Sequence, residues 1–312
     1  MRHNHLSPMT LTFVLALWIP SVSGAQETPR TRWGHPDLQG AWTNTTTTPL
    51  ERPDEFDGRE FLTEEEWAER NPTSGLSAFN AGPTGAYNDF WLEKGSLSMR
   101  TSLIIDPADG KVPPAAPAQQ QRQARRRAQA GARPVSWHDF NAFDRCITRG
   151  LPGAMMPGFY NHNYRIVQTP DHVAILVEMV HEARIVPLDG DRVARPSGGQ
   201  QWLGSSRGRW EGDTLVVETA GFTDNILAGG FTAYGVSSGG RVVERFTRVD
   251  ADTLNYEVTV IDPSLWTGPW TVSMPMKALD GELFEYACHE GNHAMRNMLA
   301  GARVEEAAEV AR

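Results

Sequence analysis

Seven short apolar runs, separated by turn-forming residues, occupy the chain beyond residue 135 and restrict its fold more than any other feature. They lie at 159–168, 172–185, 214–219, 241–248, 253–261, 270–276 and 283–289. Between them stand Thr169-Pro170-Asp171, Leu188-Asp189-Gly190-Asp191, Trp210-Glu211-Gly212-Asp213, Asp250-Ala251-Asp252 and Leu279-Asp280-Gly281-Glu282. Asp-Gly and Gly-Asp pairs supply the positive φ that tight hairpins need. In 253–261, Leu254, Tyr256, Val258 and Val260 fall on one face and Asn255, Glu257 and Thr259 on the other, the alternation of a half-buried strand. Hairpin after hairpin without intervening helices predicts a mainly β fold: an antiparallel meander closing into a lipocalin-like barrel or sandwich, with an irregular N-terminal region and a short helix.

The rest of the 312-residue chain divides by composition. Residues 1–25 read as a signal peptide: Arg2, His3 and His5 precede an apolar run at 9–19, then Pro20 and Ser21-Val22-Ser23-Gly24-Ala25. Residues 26–111 form an irregular N-terminal region packed on the core, with a short helix begun by Thr63 and Glu66 at capping-box spacing. A Pro/Ala/Gln/Arg stretch, 112–134, reads as a linker or exposed helix, 135–303 as the antiparallel β domain and 304–312 as a C-terminal tail. The clustered Arg125, Arg126 and Arg127 read as a solvated face.

Charge and cysteine content narrow the compartment and the partners. A net charge of -9 argues against nucleic acid as a partner. After signal cleavage no apolar run reaches the ~18 residues of a membrane span, so the expected location is periplasmic or secreted. Cys146 and Cys288, the two cysteines, are expected to pair as a disulfide, with a nucleophilic thiol or a metal ligand as the alternatives.

Polar residues embedded in the strand pattern are the candidate site. The run 172–185 is apolar on both faces until Glu178, His181, Glu182 and Arg184, as at the mouth of a pocket. His162, His181 and Glu178 are the expected acid/base set, because histidine titrates near neutrality and a carboxylate can orient it. Tyr160, Tyr164, Arg165, Arg184, Arg207, Glu285 and His289 are the expected substrate-binding residues, the arginines as bidentate anion clamps. Each of these residues also has a purely structural reading as a satisfied core group or internal ion pair. Trp202, Trp210, Trp266 and Trp270 are candidates for stacking on a sugar or aromatic ring, or for packing in the core. No cofactor is expected, and no metal site is assigned, although the same histidines and carboxylates are metal-ligating types. No Walker loop or dinucleotide fingerprint is present.

Five strings carry a resemblance: Gly34-His35-Pro36-Asp37-Leu38-Gln39-Gly40, Arg100-Thr101-Ser102-Leu103-Ile104-Ile105-Asp106-Pro107, Ile166-Val167-Gln168-Thr169-Pro170-Asp171, Gly208-Arg209-Trp210-Glu211-Gly212-Asp213-Thr214-Leu215-Val216-Val217 and Glu285-Tyr286-Ala287-Cys288-His289-Glu290-Gly291-Asn292. In these the chain resembles a family of exported proteins of soil bacteria. The resemblance implies export and one architecture that includes the N-terminal region; it implies no activity and transfers no catalytic residue. From the residues themselves, the first expectation is an exported enzyme acting on a small organic or carbohydrate-derived substrate by His/carboxylate acid–base chemistry. The second is a periplasmic lipocalin-like small-molecule binding protein, and the third a structural protein whose polar residues only knit the core.

Overall fold

A computed structural model describes residues 28–71, 93, 95–129, 131–158, 160–188, 199–225 and 235–311. The expected signal peptide lies outside the described residues.

The chain is mainly β. Ten strands form one antiparallel sheet that nearly closes into a barrel. They are β1 Gly40–Thr43, β2 Ile104–Asp106, β3 Asn163–Gln168, β4 His172–Val177, β5 Glu182–Pro187, β6 Ser205–Glu211, β7 Thr214–Ala220, β8 Arg241–Arg248, β9 Thr253–Ile261 and β10 Trp270–Ala278. The spatial order is β5-β4-β3-β1-β10-β9-β8-β7-β6, with β2 also on β10. β5 and β6 complete the circuit by side-chain packing: a Cβ on Gly208 of β6 would lie 2.7 Å from Leu188 and 3.0 Å from Val186. Only glycine lets the two end strands approach this closely.

Inward positions alternate as the pleat requires. Leu254, Tyr256, Val258 and Val260 of β9, and Trp270, Val272, Met274 and Met276 of β10, are fully buried. One charged pair crosses this interior. Arg184 of β5 donates to both carboxylate oxygens of Glu244 of β8, at 2.6 and 2.8 Å, and Tyr256 donates its hydroxyl to Glu244 Oε1 at 2.9 Å. At this level the barrel is filled by side chains.

Several features differ from the sequence reading, and β6, Ser205–Glu211, forms where no run was marked. The run 172–185 is two strands, because Val180 and His181 take left-handed backbone angles, φ 63° and 45°, and turn the chain between β4 and β5. The run 283–289 is not a strand; Phe284 and Tyr286 bond Glu178 and His181, at the turn between β4 and β5. The N-terminal region also supplies β1 and β2, and β1 joins the two meanders by pairing with β3 on one side and β10 on the other. Trp42 fixes β1 there, 2% exposed, with its indole N–H on Leu38 O at 3.0 Å.

The Gly34–Gly40 string seats that strand. His35 stacks on Trp210 at 4.6 Å between ring centroids, Arg30 pairs with Asp213 at 2.7 Å, and Gln168 accepts from Leu38 N at 3.0 Å. Helix α1, Glu64–Arg70, begins with the expected capping box of Thr63 and Glu66. Helix α2, Pro117–Gln129, buries none of its side chains, and helix α3, Ala294–Val310, occupies the stretch expected to end in a tail. No helix among the described residues is long and apolar enough to cross a membrane.

Candidate functional site

The β3–β4 hairpin places the site. Its register sets Tyr164 opposite Val177, so the next residues outward, Asn163 and Glu178, meet at the open end of the hairpin. Glu178 N–H donates to Asn163 O at 3.0 Å, and Asn163 Nδ2 donates to Glu178 Oε2 at 2.6 Å. The same Nδ2 donates to Glu93 Oε1 at 2.9 Å. One amide nitrogen bonds both carboxylates, so those two oxygens lie within about 5.5 Å of each other. Glu93 also accepts from Asn161 N–H at 2.8 Å and from the Thr45 hydroxyl at 2.7 Å. Asn161 turns the backbone toward Glu93 with φ 54°, a conformation that asparagine tolerates better than most residues.

The segment 284–292 forms the facing wall. Phe284 N–H donates to Glu178 Oε1 at 2.7 Å, and His181 Nδ1 donates to Tyr286 O at 2.8 Å. Cys146 and Cys288 lie at disulfide distance, 2.06 Å between sulfurs, and Asn292 Nδ2 donates to Cys288 O at 3.1 Å. Between wall and hairpin is a cavity of about 900 Å³. Glu93, Glu178 and Glu285 line it together with Tyr160, Phe284 and Tyr286, and no arginine, lysine or histidine lines it among the described residues. Its walls suit a ligand that is neutral or cationic.

Of the expected residues, Tyr160, Glu178 and Glu285 line this cavity, and His181 braces its wall. His162 is 3% exposed and does not line it; its Nε2 accepts from Arg149 Nη1 at 2.6 Å. Burial, reinforced by the Arg149 charge, pushes the His162 imidazole down to about 3, so it stays neutral at physiological pH and is no general acid there. A Cβ on Gly158 would lie 1.9 Å from His162 Nε2, so glycine there leaves room for the ring. The other expected residues are used elsewhere. Tyr164 is in the barrel core with its hydroxyl on Ala154 O at 3.3 Å, Arg184 is spent on Glu244, and Arg165 pairs at the surface with Glu282. Arg207 donates to Ser206 O at 3.0 Å, and His289 is exposed in a turn.

The sequence reading assigned no role to Glu93, Asn163 or Arg149, and named Glu182 only among the polar residues ending the run 172–185. Glu182 accepts from the Thr148 hydroxyl at 2.7 Å, and burial pushes its carboxyl up to about 6 against that bond. Asn163 was legible as a polar residue on β3, whereas Glu93 sits where no periodicity marks it.

Three strings match reactive motifs that the sequence reading passed over, and the fold forms none of them. His289-Glu290-Gly291-Asn292-His293 has the spacing of a zinc-binding helix. Here it is a turn with Gly291 at φ 63°, ahead of α3, so the two imidazoles are not one helical turn apart. Among the described residues no three His, Cys, Asp or Glu side chains are grouped to hold a metal. Gly204-Ser205-Ser206-Arg207-Gly208 and Gly235-Val236-Ser237-Ser238-Gly239 have nucleophile-elbow spacing. Ser206, however, lies in β6 with its hydroxyl on Thr219 at 2.8 Å, and Ser237 shares its hydroxyl with Ser264 at 3.0 Å.

No protein-family model matches this chain, and no curated protein sequence matches it.

Proposed function

We propose that the chain is an exported enzyme acting on an uncharged, carbohydrate-derived or similarly polar small molecule through the Glu93–Glu178 pair. The observation that carries this reading is the single Asn163 nitrogen bonded to both carboxylates at the rim of an open cavity. Two carboxyl groups whose facing oxygens lie within about 5.5 Å can act on one bond, one protonating the leaving oxygen while the other attacks or activates water. Glu93, fixed by three donors, and Glu178, fixed by two, divide the roles of base or nucleophile and of proton donor between them. Tyr160, Phe284 and Tyr286 supply flat surfaces against a sugar ring or an aromatic leaving group. Export is supported by the basic-then-apolar start of the chain and by the Cys146–Cys288 pair, since disulfides persist in oxidising compartments.

The test is a screen of neutral aryl glycosides and esters with the mature chain, followed by Glu93→Gln and Glu178→Gln. Each variant should lose turnover by about 10²–10⁴ while keeping its melting temperature within a few degrees. Turnover that survives both substitutions refutes the assignment. The carrier reading draws on the aromatic half of the same wall; a carrier would turn nothing over and keep ligand affinity within about tenfold in both variants.

A further inference from the structure

A second cavity, of about 530 Å³, shares no residue with the first. It lies where α2, the segment leading to Cys146 and the flanks of β6 and β7 come together. Its walls have no aliphatic side chain. Trp202 provides an indole face, Trp137 an indole covered by His138 and Arg145, Arg122 and Arg145 guanidiniums, Asp224 and Asn225 a carboxylate and an amide, and His138 an imidazole. Every one of these groups is planar. A planar fork of donors or acceptors spans two neighbouring hydroxyls, and an indole face packs against the C–H face of a pyranose.

The polar groups are also held in place. The Arg145 guanidinium lies 4.4 Å from the Trp137 ring centroid, and Trp137 and His138 stack at 3.5 Å. Arg122 Nε donates to Gln119 Oε1 at 3.0 Å, and Asp224 accepts from Ser238 N–H at 2.8 Å and from its hydroxyl at 3.1 Å. Among the described residues no carboxylate pairs with Arg145 or Arg122. Two fixed cations against one carboxylate, already hydrogen-bonded to Ser238, leave the site with excess positive charge in a chain whose net charge is -9.

We propose that this cavity binds an acidic saccharide, with a uronate carboxylate on Arg145 and Arg122 and the sugar ring against Trp202. The Trp202 indole selects for a ring, the guanidiniums for its carboxylate, and Asp224 with Asn225 for its hydroxyls. The inference is independent of catalysis in the first cavity, whose three carboxylates would repel such a ligand.

The experiment is isothermal titration of the mature chain with trigalacturonate, maltotriose and succinate, at two salt concentrations. Trigalacturonate should bind, weaken as salt rises, and exceed the other two by about tenfold or more. Arg145→Gln should cost about tenfold or more in affinity, and Trp202→Ala about fivefold. Trp202 is half-buried, precedes β6 and stands outside the core, so its loss spares the fold. Glu178→Gln, in the first cavity, should leave binding unchanged. No binding up to about 10 mM overturns the proposal. So does maltotriose or succinate binding as tightly as trigalacturonate. Loss of binding in Glu178→Gln with retention in Arg145→Gln places the ligand in the first cavity and also overturns it.

Discussion

Arg184 and Glu244 face each other across the interior of the barrel, one on β5 and one on β8, joined by two hydrogen bonds of 2.6 and 2.8 Å with neither side chain more than 4% exposed. The pair ties the strand at one end of the sheet to a strand three places along from β1 on the other side. Removing one partner leaves the other charge buried and alone. Arg184→Met should therefore cost about 3–5 kcal/mol of unfolding free energy, measured by urea denaturation. Arg184→Met combined with Glu244→Leu should recover most of that loss. A single variant as stable as the parent would show that the pair is not charged in the folded protein.

Asn163 faces a different kind of burial. Its Nδ2 serves two carboxylates at once, so Asn163→Asp replaces a shared donor with a third negative group. The loss of two hydrogen bonds to charged acceptors should lower stability by about 3 kcal/mol or more at pH 7. The deficit should shrink at pH 4, where carboxylates begin to protonate. Chemical denaturation at the two pH values measures both numbers, and a deficit that is the same at each pH would contradict the account.

A buried group and a half-buried one make stability depend on pH in opposite directions. His162 is held near 3 in the folded chain, below its ordinary 6.5, so its contribution is present above pH 6.5 and lost as pH falls toward 3. Glu182 is raised from 4.5 to about 6, so its contribution is present below pH 4.5 and lost as pH rises through 6. Each changes stability by at most about 1.4 kcal/mol per pH unit within its window. Glu182→Gln should stabilise the chain at pH 7.5 by up to about 2 kcal/mol and have little effect at pH 4. His162→Gln should flatten the acid limb between pH 6.5 and 3. Denaturation midpoints across pH 3–8 for the three proteins check both signs.

Cys146 and Cys288 are separated by 142 residues and fasten the cavity wall to the segment carrying Arg145. Reduction should lower stability by up to about 5 kcal/mol through the freed entropy of the unfolded chain. It should also raise hydrogen exchange in 284–292 before the barrel strands respond, because that wall is backbone without a ladder. Uniform exchange on reduction would mean that the wall is held by Glu178 and His181 alone.

The sequence and the structure agree best where one residue's position depends only on its neighbours. The alternation in 253–261 names the buried face of β9, and Thr63 with Glu66 names the start of α1. Disagreement begins where pairing partners decide. Residues 40–43 have too few positions to show a period, yet β1 is central because β3 and β10 each lack a neighbour without it. The run 172–185 reads as one strand because Val180 is apolar and β-branched, a type that seldom takes positive φ. The turn forms nonetheless, since Met179 and Val180 are buried and Glu178 is held by Asn163 and Phe284.

By itself the amino-acid sequence determined the antiparallel class, most hairpin turns, the cysteine pairing and three of the cavity-lining residues, Tyr160, Glu178 and Glu285. These follow from local period, turn chemistry and the count of thiols. Only the tertiary structure decided that Arg184 neutralises Glu244, that His162 sits behind the cavity under Arg149, and that Glu93 reaches Asn163 across 70 residues of chain. A side chain's charge and hydrogen bonds depend on what lies within about 3 Å of it, and contacts between distant parts of the chain leave no period to read.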